Sequence, residues 1–421
     1  MLQRVKNLLN NNQVIVENFG YISLLQIFVV LIPLLTYPYL VRVLGKELYG
    51  LVITAQVVAS YASLAIDFGF KRVSAKDVSI HRGDKDKLSE IVSSVLVVRG
   101  LICLVSFLIY IGVINIVASY NEHFYLFIFS FLLVFNELLF PQFYFQGIEK
   151  MKRISFINIG TKTLFVALIF IFIKSQSDYY LVPLLTAIGY FLGGVISLYI
   201  IFIKDGLNFF IPSYDRLKYY TVDAFPIFST KVVASIKDKF SYILVGSFVG
   251  MSEVVIYDLG SKFTNLLVKP VTTLSMVLFP KMAKDRNVDL FWKVLKYSFL
   301  AMIVLIAITN IILPKLVLLF IGESIDLLPL RVFLIAPLFL SVSSYISSNI
   351  IIAFGHNKYI FYSILVTTFV YVSLTLLAYY NNMLDSVLVF IGITVVSYIS
   401  EFVYRIYVSV KISNQRIKQT D

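Results

Sequence analysis

The sequence predicts an all-α integral membrane protein with about twelve transmembrane helices. Three observations predict this class: 59% of the 421 residues are hydrophobic, only 14% are charged, and long apolar runs recur along the chain. Soluble domains are nearer to half apolar and a quarter charged. Too few polar residues are therefore present to cover a water-exposed surface.

The apolar runs form two groups of six. The predicted spans cover residues 19–39, 48–66, 91–117, 124–145, 154–173, 179–203, 219–249, 254–279, 294–313, 327–352, 359–379 and 384–407. Each approaches or exceeds the roughly 20 residues that an α-helix needs to cross a bilayer.

The predicted loops are alternately poor and rich in lysine and arginine along the chain. The poor set of loops carries only Arg42, Lys46, Lys174, Lys315 and Arg331. The rich set includes Arg4 and Lys6, the polar stretch 71–90, and Arg405. Because cytoplasmic loops carry the excess of positive charge, the rich set and both termini are predicted to be cytoplasmic.

The two groups of spans are predicted to be related repeats. Gly45 and Gly250 follow the first and seventh spans, and Gly147 and Gly355 end the fourth and tenth, at separations of 205 and 208 residues. Each half has six spans, and an even number of spans returns the chain to the side where it started, so both halves have the same orientation in the membrane. This pattern predicts two six-helix bundles, residues 1–204 and 205–421, related by a pseudo-two-fold axis along the membrane normal, with a central cavity.

Charged residues inside the spans are the candidate functional residues. A charge at the bilayer centre costs about 2.5–3.5 kcal/mol, so it usually faces a water-filled cavity or a partner. The candidate cations are Lys162, Lys231, Lys262, Arg99 and Lys269, and the candidate carboxylates are Glu137, Asp238, Asp258 and Asp67.

The seventh and eighth spans hold most of these charges. Lys231 and Asp238 are seven residues apart, and Asp258 and Lys262 are four apart, so each pair lies on one helical face. The surplus of lysine predicts an anionic ligand, best a phosphate or pyrophosphate. Two other interpretations stay open: side chains that reach the headgroups, and a structural ion pair such as Asp258 with Lys262.

Common catalytic and cofactor motifs are absent from the sequence. Gly45-Lys46 is followed by Glu47, so no phosphate-binding loop is formed, and neither His-Glu-x-x-His nor Gly-x-Ser-x-Gly occurs. Cys103 is the single cysteine, so no intrachain disulfide or cysteine-based zinc site can form. We expect no metal, no cofactor and no enzymatic activity. The net charge of +12 is assigned to lipid headgroups rather than to nucleic acid.

Several stretches resemble the Wzx-type polysaccharide flippases. They are residues 37–50 (YPYLVRVLGKELYG), 67–70 (DFGF), 140–151 (FPQFYFQGIEKM) and 278–280 (LFP), together with Asp238 and Gly246. Their order and spacing extend over nearly the whole chain.

This resemblance implies membership of the multidrug/oligosaccharidyl-lipid/polysaccharide exporter superfamily. It implies two six-helix bundles that work by alternating access and an ion gradient that drives transport. The implied substrate is an undecaprenyl-pyrophosphate-linked oligosaccharide, an O-antigen or capsule repeat unit, flipped across the bacterial inner membrane. The implied partners are membrane lipids, a polysaccharide polymerase and a chain-length regulator.

Three alternatives remain at this point. A drug/cation antiporter of the same superfamily would favour an anionic cavity, and a peptidoglycan-precursor flippase would have two further spans. A membrane polysaccharide polymerase or ligase would place catalytic residues on a large extracytoplasmic loop, and the sequence has no such loop.

Overall fold

The computed structural model describes the backbone of residues 13–420 and, of the side chains, Tyr21, Phe28, Ile32 and residues 35–415. Arg4 and Lys6, on which part of the predicted orientation depends, lie outside the described residues. Every regular element in the described part is helical, which confirms the all-α class.

The helices are numbered α1 to α12. In chain order they cover Gln13–Asp67, Phe70–Ile80, Lys85–Ile116, Phe124–Gly147, Met151–Phe172, Leu181–Lys204, Tyr214–Phe248, Met251–Asp285, Val288–Ile321, Leu328–Ile352, Lys358–Tyr380 and Val387–Thr420. Helix α1 has two arms that join at Gly45, where the backbone is not helical. These two arms and α3–α12 correspond to the predicted spans.

Ten segments within the described residues are long and apolar enough to cross a membrane. Helix α7 is not among them, because eight of its residues between Asp215 and Lys239 are charged. The chain is therefore a multi-pass membrane protein in which one long helix is unusually polar.

The polar stretch 71–90 is not the loop that the sequence predicts. Most of it forms α2 and the start of α3. Phe68 and Gly69 have positive φ angles of 42° and 88°, which end α1 and start a new helix. Helix α2 then buries Phe70 and Val78, so it packs as an amphipathic helix despite its lysines.

The two halves share backbone features at matching places. Gly45 and Gly250 both combine a positive φ with an extended ψ. Gly45 has φ 79° and ψ 162°, and Gly250 has φ 134° and ψ 158°. Glu149 and Gly355 have φ angles of 59° and 86°. In each case the N–H of the following residue donates a hydrogen bond to the carbonyl five residues before that donor, at 2.9 and 2.8 Å. The two turns are therefore equivalent. The predicted match of Gly147 with Gly355 is thus wrong by two residues: Glu149 is the counterpart.

The chain divides into two compact units. The first contains the described residues up to Leu48 and residues Ala55–Ser229, and the second contains Tyr49–Thr54 and the described residues from Thr230 onward. The predicted division at residues 204 and 205 stays a prediction. In the first unit Phe70, Phe143 and Phe145 are fully buried in one core, and in the second Phe291 and Tyr345 stack within another.

Candidate functional site

In the first unit, Glu137 on α4 is paired with a lysine from α2. The Lys71 ammonium lies 2.9 Å from Oε1 and 2.8 Å from Oε2 of Glu137. The Asn136 amide also donates a hydrogen bond of 3.0 Å to Oε1. Glu137 is thus a charge-balanced carboxylate, and Lys71, which the sequence places in a loop, is part of the site.

The Arg99 guanidinium is completely buried in the same unit. Its nearest carboxylate is that of Asp67, at 3.9 Å, and it lies over the rings of Phe70 and Phe143. None of its three nitrogens makes a hydrogen bond among the described residues. A buried guanidinium in this setting is held by charge and by aromatic faces. Arg99 is not in a position to reach the headgroups.

Lys162 lies at the middle of α5, and its side chain is half-buried. It forms no hydrogen bond or ion pair with any described residue. One side of this part of α5 is closely packed against α6. A Cβ added to Gly189 or Gly193 of α6 would lie 2.9 or 2.7 Å from an atom of Thr161. Small residues at such a contact let transmembrane helices approach closely.

In the second unit, Asp258 and Lys262 form an ion pair along α8. The Tyr242 hydroxyl donates a hydrogen bond of 3.3 Å to Asp258 from α7. Asp258 is buried, whereas the Lys262 side chain is 34% exposed. The pair that the four-residue spacing indicates is therefore formed, with its lysine end nearer to the outside of the packed helices.

A second buried cluster joins α7 to α12. The Lys237 ammonium lies 2.7 Å from Asp238 Oδ1 and 3.7 Å from Glu401 Oε2. Glu401 in turn pairs with Arg405 at 2.7 Å. The Arg405 guanidinium also donates to the Ser343 carbonyl, at 3.1 Å. This cluster has equal numbers of positive and negative groups.

Three members of this cluster are absent from the sequence-derived set of site residues. Lys237, Glu401 and Arg405 are all buried, while the Asp238 side chain is 46% exposed. Arg405, which the sequence places among the loop cations, lies within α12 and not in a loop. Its four-residue spacing from Glu401 is the sequence signal that indicates a helical ion pair.

The other two candidate cations lie on the same two helices, α7 and α8. Lys231 is half-buried on α7, and Lys269 is exposed on α8 beside Pro270. The structure thus pairs each of the four candidate carboxylates with a cation. No group of three or more metal-binding side chains occurs in the part of the chain that was described. The arrangement is suited to binding an anion or to exchanging ion-pair partners.

Sequence comparison places this chain among known proteins. The profile of the family described as "Polysaccharide biosynthesis protein" matches residues 15–285. A relative from Escherichia coli K12, named "Putative O-antigen transporter", is 27% identical over 220 residues, 52% of this chain and 53% of the relative. A relative of the same name from Shigella dysenteriae is 28% identical over 171 residues, 41% of this chain and 43% of the relative. The chain is thus matched over about half the length of these relatives.

Several solved structures share the fold, including the following two. The lipid II flippase MurJ in an inward closed conformation gives a TM-score of 0.76 at 16% identity, covering 92% of this chain and 87% of that one. A multidrug resistance MATE family transporter of the MOP superfamily, in an inward-facing conformation, gives 0.70 at 16% identity, covering 92% and 99%. These matches confirm the predicted transporter fold.

Proposed function

The chain belongs to the polysaccharide biosynthesis protein family, and from this premise we propose that it is a flippase for a lipid-linked oligosaccharide. The substrate is an undecaprenyl-pyrophosphate-linked repeat unit of O-antigen or capsule, moved across the bacterial inner membrane by alternating access. The relatives named as O-antigen transporters and the fold shared with a lipid II flippase support this proposal. No step in it requires catalysis by the protein.

The position of Lys162 is the observation that supports an anionic group on the substrate. Helix α5 has 22 residues, and at 1.5 Å per residue it is about 33 Å long, close to the thickness of the hydrocarbon core. Lys162 lies about 15 Å from either end. Because its side chain is shorter than that, the ammonium does not reach the headgroups, and an ammonium at this depth requires an anionic partner or water. The described residues supply no such partner.

The paired carboxylates suggest how an ion gradient drives transport. Asp258 holds Lys262 in the second unit, and Glu137 holds Lys71 in the first. When a carboxylate takes up a proton, it loses its charge and releases its lysine. The freed ammonium can then bind a pyrophosphate. Lys231, Lys269 and Arg99 stay predictions as anion-binding residues, and Asp67 and Asp238 stay predictions as coupling carboxylates, on the charge pattern of the sequence.

The proposed cellular setting follows from the substrate. Both termini are cytoplasmic, and the protein works beside a polysaccharide polymerase and a chain-length regulator in the inner membrane. These partners consume the flipped repeat units on the periplasmic side.

The test is a gene deletion in which surface polysaccharide and undecaprenyl-linked oligosaccharide are measured in the same cells. We expect surface polysaccharide to be lost and single repeat units to accumulate on the cytoplasmic face. If single units reach the periplasmic face and fail to polymerise, the chain is an assembly enzyme. If polysaccharide is normal and drug sensitivity rises, it is a drug exporter. Either result refutes the proposal.

Complementation of the deletion strain then tests Lys162. Lys162→Ala removes one charge-assisted contact worth about 1.5–3 kcal/mol, and should lower flipping about 10- to 100-fold at normal protein levels. Lys162→Arg should restore most of the activity. The matched control is Lys174→Ala, since Lys174 is exposed just beyond the end of α5. Equal activity of Lys162→Ala and the control would exclude Lys162 from substrate binding.

A further inference from the structure

The first unit contains a cleft whose described lining residues are all of polar type except Leu133. Its volume is about 220 Å³. At about 30 Å³ for each water it holds roughly seven waters, enough for one sugar ring with its hydroxyls. Side chains from α1, α4 and α6 line this hydroxyl–amide cleft: Gln56, Ser60, Ser63, Leu133, Asn136, Glu137, Thr186 and Tyr190.

Helical spacing explains why these polar groups converge. Gln56, Ser60 and Ser63 are four and then three residues apart on α1, so they form one polar stripe. Thr186 and Tyr190 are four apart on α6 and form a second. A transmembrane helix gains nothing from a polar stripe that faces lipid. The two stripes therefore face a polar space inside the unit.

Three of the lining side chains have polar groups that the protein does not use. Gln56, Ser63 and Tyr190 form no hydrogen bond with any residue that the structure describes. By contrast, the hydroxyls of Ser60 and Thr186 donate to carbonyls of their own helices at 2.6 and 2.8 Å. The cleft thus offers one amide and two hydroxyls, both donors and acceptors, to a molecule that enters it.

The charge of the cleft distinguishes between ligands. Among the described lining residues only Glu137 is charged, and Lys71 neutralises that carboxylate at 2.8 Å. A cation would need uncompensated carboxylates, and a phosphate would need an unpaired lysine or arginine. While Lys71 is paired with Glu137, as the structure shows it, the described lining residues supply neither. A neutral ligand with several hydroxyls satisfies all of the unused groups.

We propose that the hydroxyl–amide cleft is a subsite for one sugar ring of the transported oligosaccharide, and that it contributes to the choice of repeat unit. This inference rests on the proposed flippase function and deepens it. The lysines hold the pyrophosphate, which all undecaprenyl-pyrophosphate-linked substrates share. The cleft contacts the part that differs between polysaccharides. Neutral hydrogen bonds to a sugar discriminate well, because a missing hydroxyl leaves a buried polar group unpaired.

Cysteine protection tests the subsite in the purified full-length protein in nanodiscs. Cys103 is replaced by Ser, so that Ser63→Cys carries the only thiol. Its reaction with a small water-soluble thiol reagent is measured alone, with lipid-linked oligosaccharide extracted from the deletion strain, and with sugar-free undecaprenyl pyrophosphate. We expect the oligosaccharide lipid to slow labelling about tenfold or more and the sugar-free lipid to leave it unchanged.

A matched control comes from a neighbouring apolar cleft of about 310 Å³ in the same unit. Ser106 lines it together with Val58 and Ala62 and is half-buried like Ser63. Labelling of Ser106→Cys should not depend on the sugar. If both lipids protect Ser63→Cys equally, the cleft binds the lipid or its pyrophosphate and the sugar subsite is refuted.

Binding of the radiolabelled oligosaccharide lipid is measured in the same nanodiscs to separate the two proposals. If it binds without protecting Ser63→Cys, the cleft holds only water and the subsite is wrong while the flippase function stands. If it does not bind, both proposals fail. Gln56→Leu should also lower flipping of the native repeat unit about tenfold, while Ser106→Leu should not.

Discussion

Loss of the Glu401 charge should destabilise the second unit more than any surface change. Glu401 Oε1 lies 2.7 Å from Arg405 and its Oε2 lies 3.7 Å from Lys237. Glu401→Gln keeps the shape of the side chain and leaves two buried cations facing one carboxylate, that of Asp238. Breaking a buried pair by removing one partner costs about 3–5 kcal/mol, since the remaining charge is uncompensated.

A double variant separates charge imbalance from simple loss of contacts. Glu401→Gln combined with Arg405→Gln restores the balance of charge, so it should be less destabilised than Glu401→Gln alone. The hydrogen bonds from Arg405 to Ser363 and to the Ser343 carbonyl are still lost. A residual cost of about 1–3 kcal/mol is therefore expected.

Thermal unfolding in detergent measures these differences through Trp292, the only tryptophan of the chain, which packs against the core of the second unit. At about 2–4 °C for each kcal/mol, Glu401→Gln should melt roughly 6–20 °C below the wild type. Asp385→Asn is the matched control, because Asp385 is exposed. The reasoning is refuted if Glu401→Gln melts with the control, or if the double variant loses the sum of the two single losses.

Two further predictions concern the first unit. Gly189→Ala should cost about 1–3 kcal/mol, because its Cβ would lie 2.9 Å from the Thr161 carbonyl oxygen, whereas Gly160→Ala has open space. The fraction that stays monodisperse after heating should fall for Gly189→Ala only. The hydrogen bond from Arg82 lowers the pKa of Glu149 from 4.5. The stabilisation of the folded state by this Arg82–Glu149 pair is therefore present above about pH 4.5. It is lost as the pH falls through the lower pKa that Glu149 has in the folded protein. The side chain is half-exposed, so less than about 1 kcal/mol is involved, and any difference in melting temperature between wild type and Glu149→Gln at pH 7 should shrink as the pH falls below about 4.5.

Much of the fold could be predicted because the membrane imposes it. Hydrocarbon leaves backbone groups no partner except each other, so each long apolar run becomes a helix. Asp258 with Lys262 could be predicted for the same reason, since helical spacing alone brings side chains four residues apart together. Both inferences use only neighbours along the chain.

The rotation of each helix could not be predicted in the same way. Neighbouring residues differ by about 100° around a helix, and this difference buries Lys237 while Asp238 stays half-exposed. In a membrane both the lipid-facing and the packed faces are apolar, so hydrophobic periodicity carries little information about which side packs. Proline, glycine and local breaks such as the one at Phe68 add bends that a pattern of apolar runs does not reveal.

By itself, the amino-acid sequence determined the class of protein, the order of its long apolar helices, and the presence of charges that a membrane tolerates only in special surroundings. Tertiary structure alone decided which charges from different helices meet. It brought Lys71 to Glu137 and Lys237 to Glu401 across 66 and 164 positions of sequence. It also gathered the hydroxyl–amide cleft from α1, α4 and α6. The physical reason is that hydrogen bonds and ion pairs depend on distances of a few ångströms. Those distances are set by how helices pack, and sequence spacing reports them only within one helix.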